Sequence, residues 1–556
     1  MGTNMRSKWW GWGAPEKSYD LSRKPYFWPY LNNRLDIPEN PFLFPPSMEK
    51  IDLPPTYLPV NTLNRLKSRL PPGQIFTDRE SKLTHTYGKS YHDLIRIRRA
   101  IFPVVPDAVV YPETEEDIQA VLRWAKENGV GVIPWGGGTS VVGGVEAFRL
   151  KSQDGLIVID LRRMNRILKI HKESLLADVQ AGIFGPELEE QLQEKGVTLA
   201  HYPESFEYST LGGWIAARSA GQQSTRYGKM EDMVESVRLI TPAAILETPC
   251  FPAAANGPDI NQIVVGSEGI LGVLSQARIR LKVIPGRKFY TALLFRSFEE
   301  GVEAVRKIMQ SGIKPATVRL SDADETEFVF ALREAKSGRF SSSLQKFGMK
   351  ILGMKGFLPE KRAFLILGLE GEATSVRNEW RRIVKMLHPF SPFKLGEKTA
   401  RQWYDHRFEN PYLRDTLMNY DLLVDTLETA TEWENLWNLY RAGRTAVLSA
   451  CDTLQIKGIV TVHLSHAYPT GSSLYFIILA VPHVGKELEE WWEIKKAASD
   501  AIVSAGGTIS HHHGIGLDHR PWLKQQMDGT SLRLLRQIKQ TLDPNGIMNP
   551  GKLLPD

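Results

Sequence analysis

Ser510-His511-His512-His513-Gly514-Ile515-Gly516 is the stretch of this 556-residue chain most able to do chemistry. Imidazoles titrate near neutral pH and can move protons or bind anions. Gly506-Gly507-Thr508-Ile509 precedes the triplet and predicts the start of a strand. In an extended segment His511 and His513 would point one way and His512 the other. The residues alone leave three readings open: a catalytic role, polar packing within a strand, and a metal site. The metal reading needs further carboxylate or thiolate ligands, and only Asp518 lies close by in sequence, so no metal is expected.

A second chemical stretch is Ile133-Pro134-Trp135-Gly136-Gly137-Gly138-Thr139-Ser140. Three successive glycines let a backbone turn sharply and approach a ligand, and successive amide N–H groups can cradle a pyrophosphate. Thr139 and Ser140 add hydroxyls at the rim. It is not a P-loop, because no lysine lies between these glycines and Lys151. Nor is it a dinucleotide fingerprint from Gly136, which would need glycine where Val141 stands. From the residues alone, a phosphate cradle and a flexible turn are equally open.

The elements that would position these stretches alternate between α and β from Asp107 onward. Ala108 to Tyr111 reads as a strand and Thr114 as the cap of a helix from about Glu115 to Glu127, closed by Asn128-Gly129. The strand Val130 to Ile133 then feeds the glycines. Two more small-residue elements follow, Pro203 to Gly221 and Val265 to Val273. Small residues suit close approach of backbone to a flat ligand, or close helix packing. Later come a strand at Tyr290 to Phe295 and a helix at Phe298 to Gln310. Residues 1–90 are rich in proline and in aromatics, among them Trp9, Trp10, Trp12, Tyr26, Phe27, Trp28 and Tyr30. Such proline density disfavours long helices and predicts an extended arm packed over a larger body. Contact of its aromatics with lipid is the second reading.

Composition bounds the class. The 42% hydrophobic and 24% charged residues describe a soluble globular chain, long enough for two or three domains. The net charge, 69 − 63 = +6, suits anionic ligands or an anionic membrane surface but gives no support for nucleic acid. Cys250 and Cys451 are too few and too far apart for a disulfide framework.

Pro134 to Ser140, Pro203 to Gly221 and Gly266 to Gly272, in that order, resemble the FAD-binding domain of the vanillyl-alcohol-oxidase (PCMH) type of flavoenzyme. The fold class this implies is α+β, a two-part FAD-binding domain with an α+β cap. The implied segments are an arm over 1–90, an FAD-binding domain over 91–286, a cap and substrate domain over 287–496, and a return to the FAD domain over 497–556. The resemblance implies FAD, held non-covalently by three segments. The first is Pro134, Trp135, Gly136, Gly137, Gly138, Thr139 and Ser140. The second supplies Ser209, Thr210, Gly213, Ala217, Arg218, Ser219 and Ala220. The third is Gly266, Ser267, Glu268, Gly269, Ile270, Leu271 and Gly272.

His511 to Gly516 is close to the triple-histidine motif of the alkyldihydroxyacetonephosphate synthase family. Lys8 to Gly13, Met164-Asn165-Arg166-Ile167, Pro315 to Leu320, Leu413-Arg414-Asp415 and Ser473 to Phe476 resemble that family as well. Its members exchange the acyl chain of 1-acyl-dihydroxyacetone phosphate for a fatty alcohol, with no net oxidation. The implied catalytic residues are Tyr475, which would remove a C1 proton once tuned by neighbouring histidines and the flavin, together with His511, His512, His513 and Arg319. Arg414 would clamp the substrate phosphate. The expected partners are acyl-dihydroxyacetone phosphate and the fatty alcohol, with peripheral membrane contact and a homodimer both admitted. Ala217 stands where animal members carry threonine, and the chain ends Leu554-Pro555-Asp556, not in a peroxisomal signal. No secretory signal is seen either, so the expected location is the cytoplasm. The shared fold keeps a second function open, an FAD-linked dehydrogenase or oxidase of a 2-hydroxy acid or alcohol.

Overall fold

The strand Val130–Trp135 carries the glycine loop and is buried along its length except at Pro134, which is half-buried. It pairs in parallel with Gly155–Asp160, which pairs in parallel with Ala108–Val110. Parallel neighbours need a crossover, and the helix Glu115–Glu127 supplies it. Thr114 and Asp117 form a capping box at its start, and Ile118, Val121, Leu122 and Ala125 form its buried face, as the periodicity predicts. The computed structural model describes residues 7–334 and 352–555.

These strands and Ile75–Phe76 make a four-stranded sheet. A five-stranded antiparallel sheet follows, in the order Ile167–His171, Leu176–Gln180, Val273–Arg280, Val234–Ile240, Ile245–Glu247. One apolar core joins the two sheets, with Val132 and Ile157 from the first and Val179 and Val237 from the second.

The third sheet has seven antiparallel strands, in the order Phe393–Gly396, Arg287–Phe295, Ala363–Gly371, Thr317–Ser321, Gly458–Leu464, Gly471–Ala480, Leu423–Glu432. The predicted helix forms over Phe298–Gln310. Alternation along Gly471–Ala480 sets the plan of this region. Leu474, Phe476 and Ile478 join a core with the helices Leu436–Thr453 and Glu487–Ser504. Tyr475, Ile477 and Leu479 face the other way, toward a cavity.

Two expectations are corrected. The 1–90 stretch is not simply extended: short helices form at Phe27–Asn32, Val60–Lys67 and Arg79–Thr84, each at most eight residues long. Of its seven named aromatics only Tyr26 is exposed, while Trp12 and Phe27 are buried, so the arm spends its aromatic surface on the protein body. Ser510 to Gly516 forms no strand; the segment is irregular and packs between the sheets. The chain end returns to the first sheet, where Asn549 N–H donates to the Val132 carbonyl at 2.8 Å and Val132 N–H to that of Ile547 at 2.8 Å. Among the described residues no helix is long and apolar enough to cross a membrane.

Candidate active site

The glycine loop leaves its strand at the end of the parallel sheet and is pressed against Tyr208 to Thr210. A Cβ on Gly137 would lie 1.8 Å from the Tyr208 carbonyl oxygen, and one on Gly136 2.2 Å from Thr210 Oγ1. Gly138 takes φ 67°, a conformation that glycine adopts freely. Thr210 caps the helix Leu211–Ala216, and Ser209 Oγ accepts from Trp214 Nε1 at 2.7 Å. Pro134 to Ser140, Ser209, Thr210, Gly213, Ala217, Ser219, Ala220, Ser267, Glu268, Gly269 and Gly272 all line one cavity of about 410 Å³. A long cleft walled by bare backbone and small side chains fits a flat dinucleotide with a pyrophosphate at the loop.

The remaining predicted contacts lie elsewhere. Arg218, at φ 52°, turns outward to Gln262 at 3.0 Å and Glu231 at 3.8 Å. Gly266 allows that turn, since a Cβ there would meet the Arg218 side chain. Ile270 and Leu271 are buried in the apolar core. Glu268 also serves a purpose that the sequence did not disclose. Its carboxylate accepts from the backbone N–H of Ile515 at 2.6 Å and Gly516 at 2.7 Å, so the glycine turn anchors the histidine segment. Burial pushes this carboxyl up to about 7.

At the other end of the cavity the seven-stranded sheet sets the chemistry. Register places Tyr475 directly opposite His463 on one side and Glu428 on the other. Directly opposed residues share a face, so the three form a row. The Tyr475 and His463 rings stack at 4.8 Å with planes 16° apart. Behind them, His463 Nδ1 lies 2.9 Å from Glu325, and Arg319 donates to Glu325 at 2.7 Å and approaches His463 Nδ1 at 3.3 Å. Burial alone would raise Glu325, but His463 and Arg319 hold it down at about 2.

The histidines divide differently from a strand pattern. His511 and His512 both face Glu428, while His513 packs edge-on against Tyr475 at 5.4 Å. His466 Nδ1 approaches Glu428 at 3.4 Å and its Nε2 donates to the Gly221 carbonyl at 3.0 Å. The carboxylate missing near the triplet in sequence is therefore present in space. Glu428, His466, His511 and His512 offer ligand-type atoms within 4.8 Å of one another. Burial pushes His511 and His512 down to about 4 and His513 to about 3, so all three rings are neutral at physiological pH. His512 and His513 line the cavity; His511 sits behind them, with Nε2 2.7 Å from the Tyr468 hydroxyl.

Tyr475 is the phenol expected to be tuned by neighbouring histidines and the flavin. Burial first, and then the charge of Glu204, raise it well above the ordinary tyrosine value. It is a hydrogen-bond donor at neutral pH. Arg414 lies on the helix Asn410–Met418 at the cavity wall, donating to the Lys89 carbonyl at 2.7 Å. Next to it Phe328, Leu332, Leu413, Leu417, Ile477 and Leu479 form an apolar wall. Glu204, Glu325, Glu428, His463 and His466 were not picked out from the sequence. None stands out from the polar residues around it in sequence, and only the strand register and the cavity bring them together.

Comparisons with known proteins agree with this arrangement. A family model described as FAD binding domain matches residues 106–247, and one described as FAD linked oxidases, C-terminal domain, matches 284–553. The chain is 34% identical over 504 residues to an alkyldihydroxyacetonephosphate synthase of Dictyostelium discoideum, covering 90% of this chain and 82% of that one. It is 35% identical over 504 residues to that of Trypanosoma brucei brucei, with the same coverage. A solved structure of alkyldihydroxyacetonephosphate synthase superimposes with a TM-score of 0.83 at 30% identity, over 98% of this chain and 97% of the other. FAD is the cofactor, and the cleft between the three glycine-rich segments fits it. The chain belongs to the alkyldihydroxyacetonephosphate synthase family of FAD-dependent enzymes.

Proposed function

We propose that the chain exchanges the acyl chain of 1-acyl-dihydroxyacetone phosphate for a fatty alcohol, forming the ether bond of ether lipids. The observation that carries this reading is one cavity joining an FAD cleft, a buried Tyr475–histidine centre, the Arg414 guanidinium and an apolar wall. An oxidase of small hydroxy acids has no use for that apolar wall. FAD, when bound, supplies covalent catalysis at the substrate carbon.

The protein groups divide the remaining work. Arg414 holds the phosphate, for which a guanidinium fork is well shaped. The un-ionised Tyr475 hydroxyl donates to the substrate oxygen on which charge develops. Neutral His513, whose Nδ1 is buried with no partner among the described residues, accepts the C1 proton. The charges of Glu428 and Asp425 partly offset the burial and the His512 and Lys495 charges that disfavour the imidazolium so formed. Arg319 and Glu325 fix the His463 ring on which Tyr475 stacks. Phe328, Leu332, Leu413 and Leu417 take the alkyl chain. The test is a stoichiometric exchange: one fatty acid released for each labelled alcohol incorporated, without consumption of oxygen. Oxygen-dependent turnover with no incorporation contradicts the proposal.

A further inference from the structure

Lys89 is a lysine with almost no partner. It is 6% exposed, lines the cavity beside Arg414, and its ammonium makes one long hydrogen bond, to the Lys8 carbonyl at 3.3 Å. Arg414 is left over in the same way. One terminal nitrogen bonds the Lys89 carbonyl, but Nε and the other terminal nitrogen are buried with no hydrogen-bond partner among the described residues, the latter making only an ion-pair contact with Asp415 at 3.5 Å. Buried donors are almost always satisfied, so two neighbouring cations with spare donors mark a place for an anion.

The charge balance agrees. Four cations, Lys8, Lys89, Arg98 and Arg414, face two acids, Asp415 and Glu204, and Glu204 also accepts from the Asn410 amide at 2.6 Å. The two terminal nitrogens of Arg98 donate to the carbonyls of Trp10, Leu94 and Asp415 and to Asn419. Asp415 accepts from the Trp12 backbone N–H. Asp93, the other acid near Lys89, is paired with Arg96 at 3.0 Å. The positive charge facing the cavity is therefore only partly compensated, and burial already pushes Lys89 down to about 8.

We infer that Lys89 is a second anchor for the phosphate of the substrate, forming with Arg414 a two-cation clamp for a phosphomonoester dianion. The inference rests on the proposed reaction. Lys89 also touches the glycine loop, since its backbone N–H donates to the Ser140 carbonyl at 2.6 Å, so the pyrophosphate of FAD is the other anion within chemical reach. The substrate is favoured because the second cation of the pair, Arg414, shares its helix with Leu413 and Leu417 of the apolar wall. The clamp also gives the Lys8 to Gly13 motif a purpose. A Cβ on Gly11 would lie 2.3 Å from Asp415 Oδ2, and one on Gly13 2.2 Å from the Tyr412 hydroxyl, so this segment closes tightly over the helix carrying Arg414.

The test uses the FAD-loaded full chain, as wild type, Lys89→Met and Lys89→Arg. Titration calorimetry measures binding of dihydroxyacetone phosphate, with dihydroxyacetone as the control. Flavin absorbance measures FAD per chain, and initial rates give KM and kcat. A charge-assisted contact predicts that Lys89→Met weakens phosphate-ester binding and raises KM by roughly tenfold or more. FAD content would be unchanged, the effect on kcat smaller, and Lys89→Arg would recover most of the loss. Unchanged binding in Lys89→Met removes Lys89 from the clamp while leaving the proposed reaction intact. Loss of FAD with phosphate-ester binding unchanged would assign Lys89 to the cofactor and overturn the inference. Failure of the wild type to bind dihydroxyacetone phosphate would overturn the reaction and the clamp together.

Discussion

Tyr475 and His463 lie ring on ring, 4.8 Å apart and 16° from parallel, because they are directly opposed on neighbouring strands of the seven-stranded sheet. The stack holds the phenol at a fixed place over the cavity, and burial outweighs the Thr426 hydrogen bond that would lower it. Burial raises its proton affinity, which in the proposed reaction makes Tyr475 the donor and the His513 ring beside it the acceptor.

Tyr475→Phe removes the donor and keeps the ring. Turnover falls by roughly 10²-fold or more while FAD stays bound. His513→Asn gives a comparable loss, again with FAD retained. Product formation by purified holoenzyme checks both, and wild-type rates in either variant would take that residue out of the reaction.

Arg319→Ala leaves the Glu325 carboxylate buried beside His463 with its arginine donor gone. Breaking one side of a buried ion pair costs about 3–5 kcal/mol. A large fall in denaturant midpoint is expected, with a loss of activity greater than that of Arg319→Lys. A midpoint within experimental error of wild type would show that the Arg319–Glu325 contact at 2.7 Å does not hold the stack.

Gly137→Ala places a methyl group against the Tyr208 carbonyl oxygen. The loop must move away from Tyr208 to Thr210, at a cost of about 1–3 kcal/mol. The purified variant should carry substoichiometric FAD, read from the ratio of flavin to protein absorbance. Full occupancy would mean that the loop is a turn and not the cradle.

His519 is fully buried and pushed down to about 3, first by burial and then by the charge of Lys495. Its folded value lies below its unfolded one, so its contribution is complete above about pH 6.5 and is lost as pH falls toward the folded value. The stability advantage of wild type over His519→Gln should therefore shrink by about 1.4 kcal/mol per pH unit between pH 6 and pH 4.5. Paired denaturant titrations read this difference directly, and an advantage independent of pH would contradict a neutral buried ring.

The local parts of this architecture were legible because they follow from short-range rules. The cap at Thr114, the apolar face from Ile118 to Ala125 and the glycines after Val130–Trp135 sit where periodicity and turn chemistry place them. Tyr475 and Arg414 were reached by resemblance and line the cavity. Glu428 and His463 could not be reached in either way, because what makes them part of the site is cross-strand register. The division of the histidines was misjudged for a related reason. Alternation presumes a strand, and Glu268 instead pins Ile515 and Gly516 in an irregular segment that turns His511 and His512 to the same carboxylate.

The exchange reaction itself is tested most directly by a paired assay on the FAD-loaded protein. One sample receives acyl-dihydroxyacetone phosphate and a labelled fatty alcohol, and the other a panel of 2-hydroxy acids without oxygen. The account predicts label in an ether lipid with an equal amount of fatty acid released, and no lasting flavin bleaching by the acids. Lasting reduction by a hydroxy acid with no ether product would contradict it and make the chain a dehydrogenase.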